Sequence, residues 1–260
     1  MTVRPAAVAG LFYEAEPARL QQHVEELLAR AAPGPDTRPR ALVVPHAGYI
    51  YSGFTAATAY GLLAPYRKHI HRVALLGPAH RVYLQGMAIP SVATFATPLG
   101  QVPLDTAALV DLQALPGITL SDEAHRQEHS LEVQLPFLQR VLGDFSLLPI
   151  VVGQCPAGQV AAVIDHLARE PDTLLIISTD LSHFHAYSEA ESLDRQTCER
   201  ILARDTHLSG EDACGAHALN GLLASDFCAG LDVELLHRCN SGDTTGDHSR
   251  VVGYGAFALH

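Results

Sequence analysis

The stretch 40–53 limits most strongly what this chain can fold into. Residues 41–44 are four apolar residues in a row, which is typical of a short buried strand. Pro45 ends this strand because proline lacks the amide donor of a sheet ladder. His46 follows at once, and after two glycines an apolar run at 55–63 predicts a helix. A strand, a polar loop and a helix in this order place functional groups at the carboxyl edge of an α/β sheet.

The same unit recurs along the chain. Further strands are predicted at 72–76, 86–90, 145–152, 173–178, 232–236 and 250–259, and helices at 17–31, 106–115, 157–168, 188–203 and 214–223. The last two strands are close in sequence and are expected to pair antiparallel. The segment 31–39, which has three prolines and a glycine, is interpreted as a loop and not as a domain boundary. We therefore predict for residues 1–260 an α/β fold, a single three-layer α/β/α domain with a mixed, mostly parallel sheet.

Composition argues against several classes of protein. The net charge of −11 argues against nucleic acid or an anionic membrane as a partner, because phosphate binding requires clustered Lys and Arg. No run of about 18 apolar residues predicts a transmembrane helix, and the N-terminus lacks the apolar core of a signal peptide. Five cysteines without a Cys-x-x-Cys spacing are not typical of a disulfide framework. We therefore expect a reduced cytoplasmic protein.

Four of the predicted strands end in side chains that can bind a metal or move a proton: His46, His80, Asp180 with His183, and Cys239. Parallel strands share one carboxyl edge, so these groups are expected to converge in one crevice. Two imidazoles and a thiolate, from His46, His80 and Cys239, can bind a first-row metal, and the sulfur favours Zn(II), Fe(II) or Cu(I) over Mg or Ca. His183 is a candidate general base, and Asp180 is a candidate for orienting an imidazole.

The sequence allows two interpretations for each of four further residues near this edge of the sheet. His129 and Glu132 lie one turn apart at the start of a further helix predicted within 128–138, and they either face the crevice or cap the helix. Tyr49 and Tyr51 alternate after His46, and they either line a substrate pocket or pack in the core. We include all four as candidate pocket residues. The four cysteines other than Cys239 are interpreted as structural.

Eight short motifs occur in order along nearly the whole chain: PHAGYIYSG at 45–53, GPAH at 77–80, TPLG at 97–100, EHSLEVQLPFL at 128–138, STDLSH at 178–183, CG at 214–215, NSGD at 240–243 and VGY at 252–254. In these motifs the chain resembles the Memo family, whose bacterial and archaeal members are called AmmeMemoRadiSam system protein B. The resemblance implies a fold similar to class III extradiol (LigB-type) dioxygenases, which are non-haem Fe(II) enzymes. By this resemblance His46 and His80 match two ligand histidines, Cys239 takes the place of a ligand glutamate, and His183 matches a histidine base.

The resemblance also implies a function. A cysteine in place of the glutamate changes the charge and the softness of the site. We expect a metal-binding protein with a dioxygenase-like cleft, with Fe(II) or Cu(I) as the metal, zinc as a further candidate, and a redox or oxygen-related role. The family name implies association with AMMECR-type and radical-SAM proteins. Two other functions stay open: a scaffold without turnover that binds a peptide or small ligand, and a metal-free hydrolase with Cys239 as nucleophile and His183 as base.

Overall fold

Short strands and helices alternate along residues 2–31 and 37–260, which are the residues that the computed structural model describes; most of the predicted loop at 31–39 lies outside them. The strands are β1 (Val3–Arg4), β2 (Ala41–Val44), β3 (Arg72–Pro78), β4 (Met87–Ile89), β5 (Thr94–Thr97), β6 (Gly100–Pro103), β7 (Ile118–Leu120), β8 (Ser146–Val152), β9 (Thr173–Ser178), β10 (His183–His185), β11 (Val233–Asn240) and β12 (Val251–Leu259). The α-helices are α1 (Pro17–Arg30), α2 (Tyr49–Tyr60), α3 (Thr106–Gln113), α4 (Asp122–Arg126), α5 (Leu135–Val141), α6 (Ala157–Leu167), α7 (Tyr187–Leu202), α8 (Ala216–Ala224), α9 (Asp226–Ala229) and α10 (Gly242–Thr245), and Gly61–His69 and Glu132–Gln134 are 3₁₀-helices.

The main sheet has nine strands. Eight of them follow the order β10-β12-β2-β9-β3-β8-β4-β7, and β11 also pairs with β12. The central strands β2, β9, β3 and β8 are parallel, whereas β12 runs antiparallel to β2, β10 and β11, and β4 runs antiparallel to β8. Strands β1, β5 and β6 form a smaller second sheet. The predicted α/β fold with a mixed sheet is confirmed, and so is the antiparallel pairing of the last two long strands.

Two groups of helices pack on the main sheet. Helix α2 lies on β2, β11 and β12 and packs against α1 and α5, while α8 lies on β3 and β9 and packs against α6. The central strands between them are apolar and fully buried along almost their whole length. This burial is the main favourable contribution to folding. Among the described residues, no helix is long and apolar enough to span a membrane.

Helix α2 begins at Tyr49, six residues before the predicted start at Thr55. Gly53 precedes the predicted helix and would lie in the polar loop, but the structure has it inside the helix where α2 packs against α1. A Cβ atom at Gly53 would lie 2.8 Å from Leu27 Cδ1, so glycine permits the close approach of the two helices. The prediction was wrong here because a glycine used for helix packing and a glycine used for a turn give the same local sequence pattern.

The strand register brings three strand ends side by side. Val44 at the end of β2 pairs with Ser178 at the end of β9, and Leu76 of β3 pairs with Ile177 of β9. His46 follows two residues after β2, and His80 follows two residues after β3. The parallel centre of the sheet therefore delivers both histidines to the same carboxyl edge.

Candidate metal centre

Three histidines meet at this edge of the sheet: His46, His80 and His129. One ring nitrogen of each lies within 4.8 Å of the corresponding nitrogens of the other two. The ring centroids of His80 and His129 are 4.7 Å apart, and those of His46 are 5.1 Å from His80 and 5.4 Å from His129. The nitrogens are therefore close enough together for one metal ion to contact all three.

Hydrogen bonds at Nδ1 fix the rings of His46 and His80. Ser178 donates its only hydroxyl proton to Ser130 O, so its oxygen accepts the Nδ1 proton of His46 at 2.9 Å. The Nδ1 atom of His80 donates to Glu128 Oε1, also at 2.9 Å. In both rings Nε2 is then the nitrogen with a free lone pair, which is the atom that a metal requires.

The surroundings of the His129 Nδ1 atom indicate whether the three histidines fit a metal ion. This atom is buried and has no hydrogen-bond partner among the described residues, although Glu128 Oε1 lies 3.4 Å away. Buried polar atoms are almost always paired in native proteins, so an orphaned nitrogen indicates a further ligand of the site. The donor set and the orphaned atom together fit a metal ion.

Electrostatics keep the buried rings neutral. Burial lowers the pKa of His46 well below its ordinary value, and the neighbouring His80, His129 and His183 lower it further. Burial also lowers the pKa of His129 to about 4. Both rings are therefore uncharged at pH 7, which is the form of imidazole that binds metals.

Glu128 holds His80 in position. Besides the Nδ1 proton of His80, its carboxylate accepts the main-chain amides of His80 at 2.6 Å and of Ser130 at 2.9 Å. Burial raises the pKa of Glu128, but the hydrogen bonds and charge of His80 and the amide of Ser130 outweigh it, and the pKa falls to about 2. Glu128 was not among the predicted site residues, although it begins the 128–138 motif and directly precedes His129.

Gly77 in β3 allows the loop that carries Glu128 and His129 to approach the three-histidine group. A Cβ atom at Gly77 would lie 2.8 Å from Leu131 Cδ2 and 2.9 Å from Ser130 Oγ. Only glycine therefore leaves room for the loop that carries Glu128 and His129. Close backbone approach of this kind is a frequent reason for a glycine within a strand.

Asp180 and Cys214 lie beside His46. Asp180 Oδ1 accepts the amide of His46 at 2.7 Å, and its Oδ2 is 3.8 Å from His46 Nε2. Burial raises the pKa of Asp180 to about 7. The Sγ atom of Cys214 lies 3.3 Å from the same Nε2, and burial raises the pKa of this thiol to about 12. Cys214 was predicted to be structural, although the Cys-Gly motif at 214–215 is a signal in the sequence that points to it.

His183, the predicted base, lies in β10 and is partly exposed. Its pKa is lowered by burial first and by the charge of His80 as well, while His183 in turn lowers the pKa of His46. These effects indicate that His183 lies near the rings of His46 and His80. Its role as a base stays a prediction.

Known proteins resemble this chain over almost its whole length. Residues 4–258 match the family described as Memo-like protein. The chain belongs to the Memo-like family. It is 35% identical to a MEMO1 family protein of Aquifex aeolicus over 98% of both chains, and 36% identical to one of Methanosarcina acetivorans over 100% of both. It also shares the fold of the uncharacterized protein JW3007 from Escherichia coli K12, with a TM-score of 0.50, 15% sequence identity, and coverage of 84% of this chain and 99% of that chain.

Cys239 of this Memo-like protein does not join the three histidines. It lies in β11 opposite Tyr254 of β12, and its Sγ is 3.1 Å from Thr55 Oγ1. His129, and not Cys239, completes the group with His46 and His80. The prediction placed Cys239 at the shared edge of parallel strands, but β11 is antiparallel to β12, which separates it from β2.

Glu132 of the Memo-like protein does not line a pocket. Its side chain is fully buried and forms an ion pair with Arg4. Its carboxylate also accepts the amides of Ala7 at 2.8 Å and Val8 at 3.0 Å, and the hydroxyl of Tyr13 at 2.6 Å. Glu132 therefore anchors the N-terminal segment. The sequence could not show this because all four donors lie more than 100 residues away.

The two tyrosines after His46 line a cavity, but Tyr49 also packs in the core. Tyr49 is buried and its hydroxyl donates to Val133 O at 2.6 Å. Tyr51 is half-buried. Both border a cavity of about 420 Å³, together with Cys239 and His237. Tyr49 therefore packs in the core and borders the cavity, while its role in a substrate pocket stays a prediction.

Proposed function

We propose that this Memo-like protein holds a first-row transition metal at His46, His80 and His129 and uses it in redox or oxygen-related chemistry. The observation that carries the proposal is the group of three imidazole nitrogens within 4.8 Å of one another. Imidazole suits zinc, copper and iron alike. The family resemblance favours Fe(II) or Cu(I), while the three nitrogens alone also accept zinc.

A bound ion would supply Lewis-acid or one-electron chemistry at this position. The residues of the chain supply access and proton handling. His80 is exposed whereas His46 is buried, so the centre is reached from the side of His80. Asp180 has a pKa of about 7 and therefore both holds and releases a proton near neutral pH. His183 is the candidate second proton acceptor, in agreement with its predicted role.

Metal analysis of protein purified without oxygen tests the proposal. We expect stoichiometric metal in the unmodified protein and its loss in His80→Gln and His129→Gln, since each substitution removes one of three ligands. Cys239→Ser is the matched control, because it changes a metal-competent side chain outside the group, and it should keep the metal. Full metal content in both histidine variants would contradict the proposal.

The second candidate function is a ligand-binding scaffold without turnover. The cavity of about 420 Å³ supports it, because its volume lies in the range of small-ligand pockets and Tyr51 and Phe54 give it aromatic walls. Oxygen uptake by metal-loaded protein with a panel of reductants separates the two candidates. Sustained uptake that is lost in His129→Gln supports the redox function, whereas stoichiometric metal without any uptake supports the scaffold. Association with AMMECR-type and radical-SAM proteins stays a prediction from the resemblance.

A further inference from the structure

A thiol, a hydroxyl and an imidazole are joined in a second cluster outside the three-histidine group. Thr55 Oγ1 lies 3.1 Å from Cys239 Sγ and 2.9 Å from His237 Nδ1. Burial lowers the pKa of His237, so its ring is neutral and Nδ1 can accept a proton. Since a hydroxyl donates only one proton, Thr55 can donate to His237 while it accepts from the thiol of Cys239. The three groups then form a directed chain of hydrogen bonds from thiol to imidazole.

The fold builds this cluster from one strand and one helix. His237 and Cys239 are two residues apart in β11, so their side chains leave the same face of the strand. Helix α2 lies on that strand and places Thr55 against both. The ring of Phe54 packs edge-on against His237, with the centroids 5.1 Å apart, and fixes its position.

The cluster opens into the cavity of about 420 Å³. Cys239 and His237 line it, together with Tyr51, Phe54 and Arg30. Cys239 is partly exposed, whereas three of the other four cysteines are buried. A partly exposed thiol that is linked to a base and faces a cavity has the surroundings of a reactive cysteine.

We infer that Cys239 is a nucleophilic thiol that forms reversible mixed disulfides with small disulfides in this cavity. The hydrolase hypothesis paired Cys239 with His183; the geometry pairs it with His237 instead, through Thr55. Burial raises the pKa of the thiol, so Cys239 is protonated at rest and requires a base at the moment of attack.

The small disulfide is the oxidant in the exchange step: the Cys239 thiol is oxidised to a disulfide while one half of the small disulfide is reduced to a thiol. The thiol proton passes to Thr55 as the hydroxyl proton of Thr55 passes to His237 Nδ1, and Sγ attacks one sulfur of the small disulfide. The sulfur–sulfur bond of the small disulfide breaks, and a new one joins Cys239 to one half of it. The other half leaves as a thiolate, takes the proton from His237, and is released as a thiol. An excess of small thiol reverses the reaction.

The reaction of the reduced full-length protein with dithiodipyridine tests this inference. The release of thiopyridone gives the rate, and mass spectrometry locates the modified cysteine. We expect Cys239 to react first and Cys239→Ser to remove the fast phase. Thr55→Val and His237→Gln should each slow the reaction on the order of 10²-fold, because each interrupts the path to the base. Thr55→Ser keeps the hydroxyl and should keep most of the rate.

The double variant separates a relay from a loss of packing. Thr55→Val combined with His237→Gln should be no slower than the slower single variant, because both act in one chain of proton transfers. Equal rates for Thr55→Val and Thr55→Ser, or modification of Cys214 before Cys239, would overturn the inference. So would protection of Cys239 on addition of zinc, since it would identify the thiol as a metal ligand.

Discussion

Replacing Glu132 by glutamine shows how strongly one buried carboxylate holds the N-terminal segment. The carboxylate accepts hydrogen bonds from Arg4, Tyr13 and the amides of Ala7 and Val8, and it is fully buried. Glutamine has nearly the same shape but leaves the guanidinium of Arg4 without a counter-charge. Breaking a buried pair in this way costs about 3–5 kcal/mol, and about 2–4 °C per kcal/mol in a chain of this size gives a decrease in the unfolding midpoint of roughly 6 to 20 °C.

Urea unfolding followed by circular dichroism measures the free energy of unfolding, and calorimetry measures the midpoint. Glu123→Gln is the matched control, because Glu123 pairs with Arg126 at 2.7 Å while both side chains are more than half exposed. An exposed pair contributes little, so we expect the control to change the free energy of unfolding by less than about 1 kcal/mol. If Glu132→Gln destabilises the protein no more than Glu123→Gln does, the anchor assigned to Glu132 is refuted.

Two further substitutions test the surroundings of the histidines. Glu128→Gln should weaken metal binding about 10–100-fold in competition with a chelator, because it loosens the ring of His80; unchanged affinity would contradict this role. Burial raises the pKa of Asp180 to about 7, so the folded state binds the carboxyl proton more tightly than the unfolded state does. The free energy of unfolding therefore decreases as the pH rises from about 4 to about 7. Asp180→Asn should therefore gain stability over the unmodified protein at pH 8, with a smaller gain at pH 5, and a difference independent of pH in urea unfolding would refute the shift.

The positions of the central strands could be predicted from the sequence, but the order of strands in the sheet could not. The apolar run before Pro45 predicts the end of β2, the run before Gly77 predicts β3 to within two residues, and the structure brings His46 and His80 together as expected. Strand order depends on packing between distant segments. Cys239 illustrates this, because its strand has the same local pattern but pairs on the far side of β12.

The local sequence pattern also could not predict the direction in which side chains outside the strands point. The sequence allows two interpretations of His129 because a residue at a helix start can face either way. Gly77 makes room for the 128–131 segment beside β3, since a Cβ atom at this position would lie 2.8 Å from Leu131 Cδ2. Glu132 turns the opposite way because Arg4 and Tyr13 hold it. Contacts between residues more than 100 positions apart leave no periodic signal in the sequence.

X-ray absorption at the zinc edge of reconstituted protein tests the three-histidine centre most directly, because it reports the atoms bound to the metal. The expected result is a first shell of nitrogen at about 2.0–2.1 Å, with the multiple scattering of three imidazoles. This spectrum should be the same in Cys239→Ser and should lose one imidazole in His129→Gln. A sulfur neighbour at about 2.3 Å that disappears in Cys239→Ser would contradict the assignment of His129 as the third ligand.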